Sequence, residues 1–301
     1  MQSKLLDLCT KDGSIQEARN AVATLASLHD NDHTKKIEVF TSLLGTMTSS
    51  SRLTLSSGGK PNSKIVYVLD TLTSMVEKVP SLFSVTGAKN NRGAKAIRFA
   101  LESILLGRGD RLSSDSRQDS DISSEDEIDD STKKSSPRRR SKSKKRVSRK
   151  SSSNEDTISL ACKRARAAIT FLVAHIRSTI LFAKFNVGKE QNEADKKKML
   201  TPPKGHIKAV FELLIGILED DGLPPSSIDR NDCQAAEDRA ELRKAATINI
   251  MRLCDKNLDL ERTFLTTSMW HILGRSFVDK DRRVRGKYDT SDKMHCQSRC
   301  I

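Results

Sequence analysis

The 301-residue sequence contains few aromatic residues, glycines and prolines. Phe, Trp and Tyr together make up 4% of the residues, and there are 14 glycines and 7 prolines. Sandwiches and barrels need aromatic and β-branched strands joined by many Gly- and Pro-containing turns, so this scarcity argues against both. Leu, Ala, Ser, Lys and Arg fill most segments, and 36% of the residues are hydrophobic. We therefore predict an all-α protein with enough apolar material for a sizeable core.

The sequence also lacks a signal-peptide pattern and a long apolar run without charge. The cysteines are widely spaced except for the last two: Cys9, Cys162, Cys233, Cys254, Cys296 and Cys300. This spacing indicates reduced thiols in an intracellular compartment. The most apolar stretch, 169–185, contains His175, Arg177 and Lys184, which argues against a membrane span. We expect a buried helix with one solvent-facing side there, and no membrane partner.

Residue patterns that carry catalysis or bind cofactors are missing from the sequence. The Gly-Gly-Lys segment at 58–60 lacks the spacing of a phosphate-binding loop, and no Gly-x-Ser-x-Gly elbow occurs. The carboxylates at 219–221 precede Gly222 and two prolines, as is typical of a solvated turn rather than an acid/base pair. We therefore predict a protein that is not an enzyme, with no catalytic residues and no cofactor.

The histidines form no pattern that would hold a metal ion. His295 and Cys296 near Cys300 offer three ligands, one fewer than a closed structural zinc site requires. We therefore predict no metal site, and we interpret 286–301 as a polar tail without helical periodicity that is expected to be disordered.

Charge divides the chain into segments. The formal net charge of +14 favours polyanionic partners, either nucleic acid or acidic protein. Residues 108–157 contain no Phe, Tyr or Trp, and they split into eight carboxylates within 115–130 and eleven Lys and Arg within 133–150. Such a segment buries too little apolar surface to offset its ordering entropy, so we predict a disordered insertion. It separates helical regions at 1–107 and 158–285.

Apolar residues at helical spacing predict short helices in both regions. Ser14 and Glu17 fit a capping box, which opens a helix whose expected core residues are Ala18, Val22, Leu25, Ala26 and Leu28. The next helix, 35–47, has its core residues at Ile37, Phe40, Leu43 and Leu44. Further helices are predicted near 63–79, 91–106, 158–185, 204–219, 235–255 and 262–275.

These helices alternate in pairs of about 35–50 residues, the period of arrays in which each unit buries its face against its neighbours. We predict a helical-repeat solenoid interrupted by the insertion, and a compact helical bundle is the alternative that periodicity leaves open. Trp270, the only tryptophan, falls on the apolar side of the 262–275 helix and is predicted to lie in the core.

A turn near the C-terminus resembles those of HEAT repeats. At 277–285, Phe-Val-Asp-Lys-Asp-Arg-Arg-Val-Arg, an Asp-containing turn leads into Val-Arg at a helix start. Acidic side chains cap such a helix, and arginine can pair with the neighbouring repeat. Together with other blocks, this turn resembles the Pds family, the cohesin-associated HEAT proteins named for precocious dissociation of sisters. The other blocks are 4–9, 13–14, 18–22, 241–246, 250–254 and 264–270.

The resemblance implies a nuclear, chromatin-associated scaffold that binds cohesin ring subunits and cohesin regulators, and so influences sister-chromatid cohesion and chromosome segregation. The resemblance does not identify any partner-contact residue of this chain, because the contact motifs of the family are not recognisable in the matched blocks. Beyond Val284-Arg285 the family continues into further repeats, so we expect an incomplete or alternatively terminated chain. The alternative function is a helical-repeat adaptor in nuclear transport or RNA processing, which a Ser/Arg-rich insertion would suit.

Basic residues of the insertion are candidates for a nuclear-localisation signal, because import receptors read exposed basic clusters. They are Lys133, Lys134, Arg138, Arg139, Arg140, Lys142, Lys144, Lys145, Arg146, Arg149 and Lys150. A merely solvated or nucleic-acid-binding charge run is the alternative.

Phosphorylation candidates lie in and after the insertion. Ser123 and Ser124 have acids three residues on, as acidophilic kinases prefer, whereas Ser136 and Thr201 precede prolines and suit proline-directed kinases. Each phosphate adds about −1.5 to −2 charge at neutral pH. Modification at Ser136 would therefore partly neutralise the adjacent basic cluster.

One face of the predicted helix 158–185 carries a basic stripe, formed by Lys163, Arg166, Arg177 and Lys184. The stripe is a candidate contact for a polyanion such as DNA, and an ordinary solvated helix face is the alternative. The shortage of aromatic residues argues against recognition by base stacking.

Overall fold

The computed structural model describes residues 1–11, 13–49, 51–57, 60–83, 92–107, 158–186, 202–223 and 235–285. Over these residues the protein is all-α, as predicted. The helices before and after the insertion belong to one compact unit. The two predicted helical regions therefore share one core.

The first region contains α1 (Gln2–Thr10), α2 (Ile15–Leu28), α3 (His33–Met47), α4 (Lys64–Lys78) and α5 (Arg92–Arg98). A 3-10 turn (Pro80–Phe83) follows α4, and a π-helical segment (Phe99–Leu105) continues α5. The second region contains α6 (Leu160–Asn186), α7 (Lys204–Glu219), α8 (Ala236–Leu253), α9 (Glu261–Phe264), α10 (Thr267–Ser276) and α11 (Arg282–Arg285). Most predicted helices agree with these bounds within a few residues.

The predicted helix 262–275 is wrong as a single element, because it is divided into α9 and α10. Thr266 adopts an extended backbone (φ −80°, ψ 164°), and its side chain accepts a hydrogen bond from the Met269 backbone N–H at 3.3 Å. A Thr in this position satisfies a free donor at the start of α10, so a new helix begins there.

The predicted capping box lies at the start of α2, as expected, but Ser14 does not make the expected hydrogen bond. Ser14 is the residue preceding α2 and Glu17 lies in the first turn, but the Ser14 side chain makes no capping hydrogen bond. At α3 the cap is formed instead by Asp32, whose carboxylate accepts from the Lys35 backbone N–H at 3.0 Å.

Consecutive helices form pairs, and the second helix of each pair packs on the second helix of the next pair. Within pairs, α1 contacts α2, α3 contacts α4, the π-helical segment contacts α6, and α7 contacts α8. Between pairs, α2 contacts α4, α4 contacts α6, α6 contacts α8, and α8 contacts α11. The first members also meet, α1 with α3, α3 with α5, and α7 with α10. Each pair therefore buries apolar side chains against the pairs beside it in sequence.

Helix α6 lies at the centre of this arrangement, between α4 and α8. By length and composition it is apolar enough to cross a membrane, and 61% of its most apolar window is buried inside the protein. Phe171 on α6 meets Phe83 edge to face, with ring centroids 6.0 Å apart, and both rings are fully buried. The prediction of a buried helix is confirmed, whereas its other side is half-buried as far as residue 183, and among its described side chains only Lys184 and Phe185 are exposed.

Most predicted core residues are buried. The side chains of Ala18, Val22, Leu25, Ala26, Phe40, Leu43 and Leu44 are enclosed. Leu28, the last residue of α2, is 48% exposed, because the chain turns away after it. Trp270 is half-buried and packs against the core from its edge, so its predicted core position is only partly right.

The connector before α4 contains a short antiparallel pairing. Ser56 pairs with Pro61, and Ser57 pairs with Lys60. Gly58 and Gly59, part of the Gly-Gly-Lys segment at 58–60, lie outside the described residues.

Candidate functional site

Hydrogen bonds connect the turn of one helix pair to the next pair. Arg52, between α3 and α4, donates to the Thr10 carbonyl at the end of α1 at 2.5 Å. Arg164, in the first turn of α6, donates to the Leu55 carbonyl at 3.3 Å. Asp238, in the first turn of α8, accepts from the backbone N–H just before α6 at 2.9 Å. We call the edge formed by these turns the turn edge.

Arg243 of α8 joins two turns of this edge, and its side chain is only 6% exposed. One terminal nitrogen donates to the backbone carbonyl and Oδ1 of Asp221, at 3.0 and 2.9 Å. Nε and the other terminal nitrogen donate to Oδ2 and Oδ1 of Asp279, at 2.7 and 3.1 Å. Asp221 follows α7, and Asp279 lies between α10 and α11. Because the guanidinium is a rigid fork, one side chain holds both turns.

The backbone at 221–222 places the Asp221 carboxylate next to α8. Asp221 and Gly222 both have positive φ, 54° and 86°. A Cβ added to Gly222 would lie 2.1 Å from the Arg239 carbonyl oxygen, so the turn packs directly on the backbone of α8. Asp tolerates this left-handed conformation better than most residues, and Gly adopts it without strain.

The turn before α11 is organised by its own carboxylates. Asp281 caps α11 by accepting from the Arg283 backbone N–H at 2.8 Å, and it also pairs with the Arg283 guanidinium. That side-chain hydrogen bond lowers the pKa of Asp281 to about 2. Burial works against ionisation of Asp279, but its hydrogen bonds from Arg243 and from the Asp281 backbone hold its pKa below the usual value. Both carboxylates are therefore charged at neutral pH.

A cavity of about 150 Å³ opens beside Arg243. Two basic side chains reach into it without a hydrogen bond to Asp221: Arg239 approaches the carboxylate to 3.4 Å, and Lys280 approaches it to 3.7 Å. The Nε of Arg239 is buried and has no hydrogen-bond partner within the described part of the chain. The lining residues are Asp221, Ala236, Arg239, Arg243, Lys280 and Asp281.

The predicted basic stripe of α6 faces α8. Arg166 lies 3.6 Å from Glu241, and Arg177 donates to Asp255 at 3.1 Å. Lys184 donates to the Asn257 carbonyl at 2.8 Å, while Lys163 is half-buried. Three of the four candidate polyanion contacts therefore take part in contacts with α8 and the turn after it. Carboxylates and a carbonyl of the protein itself therefore balance at least part of their positive charge.

Two histidines meet in the core between α6 and α7. The rings of His175 and His206 lie 5.9 Å apart, edge to face. His175 Nε2 lies 3.0 Å from the Phe83 carbonyl, and because a carbonyl can only accept, Nε2 carries the proton. Burial, together with the neighbouring His206, lowers the pKa of His175 to about 3. Burial lowers the pKa of His206 as well, so both rings are neutral at pH 7.

Several predicted sites lie outside the described residues. These are the nuclear-localisation candidates within 133–150, the phosphorylation candidates Ser123, Ser124, Ser136 and Thr201, and the tail with His295, Cys296 and Cys300. They remain predictions. Over the described ranges, no three His, Cys, Asp or Glu side chains are grouped to hold a metal ion.

Comparison with known proteins found no matching family model, no matching curated protein and no matching solved structure.

Sequence reasoning missed the network around Arg243. The carboxylates at 219–221 were interpreted as a solvated turn, yet Asp221 pairs with a buried arginine 22 residues away. The Phe277–Arg285 turn contained the only signal, since an arginine was expected to pair with a neighbouring repeat. The arginine of this turn does not make that contact: Arg285 donates to the carbonyls of Asp279 and Lys280 within its own turn, and Arg243 of α8 pairs with Asp279 instead.

Proposed function

We propose that the chain is a HEAT-type helical-repeat scaffold that binds the cohesin complex and regulates sister-chromatid cohesion and chromosome segregation. It acts in the nucleus on chromatin, and it catalyses no reaction. The observation that carries the proposal is the succession of second helices, in which α2, α4, α6, α8 and α11 pack one on the next. Repeat arrays of stacked helix pairs are built in this way.

The contact between Arg243 and Asp279 supports the assignment to HEAT-type repeats. An acidic turn residue in one helix pair binds an arginine on the second helix of the preceding pair. A pairing between neighbouring helix pairs is typical of such repeats, but here the arginine comes from α8 and not, as expected, from the 277–285 turn.

The layer of second helices offers the proposed partner surface. Neighbouring helices in this layer are joined by ion pairs, Arg19 with Asp70 at 2.6 Å and Arg166 with Glu241 at 3.6 Å. Ile248 and Met251 on α8 are half-buried apolar residues. A surface of this composition suits an extended or helical segment of a cohesin subunit, with apolar contacts flanked by charge pairs.

Affinity purification of the tagged protein from dividing cells tests the proposal. We expect cohesin ring subunits to be recovered, and cross-links to them to map to α4, α6 and α8. The variant Ile248→Asp should reduce recovery, whereas Val278→Asp, at a position that is 78% exposed in the turn before α11, should not. Purified preparations that contain no cohesin subunit would refute the cohesin assignment.

The alternative is a helical-repeat adaptor in nuclear transport or RNA processing. The Ser- and Arg-rich half of the insertion, 133–150, favours it. Transport factors or ribonucleoprotein components would then be recovered in the same purification in place of cohesin, and Ile248→Asp would reduce their recovery instead.

A further inference from the structure

We propose that the cavity beside Arg243 binds a side-chain oxyanion of a protein partner, held by Arg239 from α8 and by Lys280 from the turn before α11. The oxyanion is the carboxylate of Asp or Glu, or the phosphate of phosphoserine. This inference depends on the proposed scaffold function in one respect, which is that the oxyanion belongs to a partner protein.

Among the described residues, Arg239 and Lys280 have only the distant ion pairs with Asp221 as partners. The Nε–H of Arg239 is buried without an acceptor, which is an unfavourable state for a charged donor. Its approach to Asp221 is 3.4 Å and that of Lys280 is 3.7 Å, longer than the roughly 2.7–2.9 Å of a charge-assisted hydrogen bond. An oxyanion in the cavity would give the terminal nitrogens of both cations an acceptor at hydrogen-bond distance.

The carboxylates in the cavity wall already accept hydrogen bonds from other groups. Asp221 accepts from Arg243 at 2.9 Å, and Asp281 accepts from the Arg283 guanidinium at 3.1 and 2.8 Å. Arg243 divides its charge between Asp221 and Asp279. With Arg239, Lys280 and Arg283 counted, this network has four cations and three carboxylates, so a further anion would meet a net positive charge. The small side chain of Ala236 completes the wall and leaves the space open.

The size of the cavity limits the ligand to a single headgroup. Its volume is about 150 Å³, and sites for whole small molecules typically measure about 300–1,000 Å³. One carboxylate or one phosphate group fits, while the remainder of the ligand lies outside. A side chain of a bound protein meets this condition.

A ligand bound by both cations would link two neighbouring helix pairs. Arg239 and Lys280 belong to successive helix pairs, which Arg243 already joins through Asp279. A bound oxyanion would form a second link between these pairs. Binding is therefore expected to stabilise the folded protein in proportion to ligand concentration.

The experiment titrates the full chain with inorganic phosphate and, separately, with acetate, against sodium chloride at matched ionic strength. The unfolding midpoint and the Nε–H resonances of ¹⁵N-labelled arginines are followed. We expect a saturable rise of the midpoint and a shift of the Arg239 resonance with at least one oxyanion. Phosphate binding more tightly than acetate would assign the site to phosphoserine, and the reverse order would assign it to Asp or Glu.

Two variants test the named donors. Arg239→Gln and Lys280→Gln should each weaken oxyanion binding by about tenfold, the loss of one charged hydrogen bond. Lys280 has a side chain that is 77% exposed, so its replacement leaves the fold intact. Arg275→Gln, an exposed arginine on α10 that does not line the cavity, should bind like the parent.

The proposal is overturned if the midpoint rises equally in chloride, or if Lys280→Gln and Arg239→Gln bind both oxyanions as tightly as the parent. These measurements use no cohesin. A failure of the oxyanion site is therefore distinguishable from a failure of the proposed scaffold function.

Discussion

Arg243 and Asp279 form a two-point ion pair, at 2.7 and 3.1 Å, that joins α8 to a turn 36 residues further along the chain. Their side chains are 6% and 11% exposed. Two buried charges gain little net stability from each other, because both lose their hydration, but removing one leaves the other uncompensated. The intact pair therefore adds little net stability, whereas loss of one partner is strongly destabilising.

The variant Arg243→Ala should destabilise the protein strongly. It leaves Asp279 buried without its guanidinium partner, and losses of about 3–5 kcal/mol are typical of such sites. Arg243→Lys should recover only part of the loss, because an ammonium group cannot make the two-point contact. Arg275→Ala, at an exposed arginine, is the control and should change the free energy of unfolding by less than about 0.5 kcal/mol. Urea unfolding measures all three, and equal midpoints for Arg243→Ala and the parent would contradict the assignment.

Two glycine substitutions should have opposite effects. Gly222→Ala introduces a Cβ 2.1 Å from the Arg239 carbonyl at a residue with φ of +86°, so it should lower the free energy of unfolding by more than about 1 kcal/mol. Gly216→Ala, within α7, meets no atom within 4 Å and should raise it by about 0.5–1 kcal/mol. Thermal unfolding of both variants provides the check. A stabilising Gly222→Ala would mean that the turn does not pack on α8.

Stability should fall below neutral pH because of His175. Its pKa drops from 6.5 to about 3 in the folded protein, since burial disfavours the charged ring. Between these values only the unfolded chain binds the proton, so this stabilising contribution is complete above pH 6.5 and is lost as the pH decreases toward 3. The extra slope approaches about 1.4 kcal/mol per pH unit.

The variant His175→Gln, which retains an amide donor for the Phe83 carbonyl, isolates this effect. Its free energy of unfolding should decrease less than that of the parent between pH 6.5 and pH 5. Identical slopes for the two proteins would show that His175 does not cause the acid sensitivity.

Replacing the basic residues of 133–150 by Ala in a fluorescent fusion should abolish nuclear accumulation. Import receptors bind clusters of Lys and Arg in exposed strands, and this segment carries eleven of them. Fluorescence microscopy measures the nuclear fraction, and a fusion with the acidic residues of 115–130 replaced serves as the control. Unchanged nuclear accumulation of the basic variant would exclude the signal.

Phosphorylation at Ser136 should weaken the attraction of the insertion to polyanions. Each phosphate contributes about −1.5 to −2 charge beside the basic cluster. Ser136→Asp should therefore bind heparin less tightly than Ser136→Ala, with the difference decreasing as salt rises. Mass spectrometry of protein from mitotic cells should find Ser123, Ser124, Ser136 and Thr201 modified, and their consistent absence would count against regulation by these kinases.

Helix positions could be predicted from the sequence because the spacing of apolar residues is a local property. Helix α7 begins and ends where its pattern predicted, and α3, α4 and α6 deviate by a few residues. The division between α9 and α10 was missed, since apolar spacing continues through Leu265 while Thr266 caps a new helix. The hydrogen bond that the Thr266 side chain accepts from the Met269 backbone N–H starts a new helix there, although the apolar spacing is continuous.

The sequence by itself determined the all-α class, the location of most helices and the charged insertion, because composition and short-range periodicity carry that information. Only the tertiary structure decided which charges meet. Arg166 was expected to face solvent or a polyanion and lies beside Glu241, while Asp221 was expected to be a solvated turn residue and binds Arg243. The physical reason is that an ion pair depends on the distance between helices packed side by side. That distance is set by the buried side chains of α6, α7 and α8, not by the spacing of the charged residues along the chain.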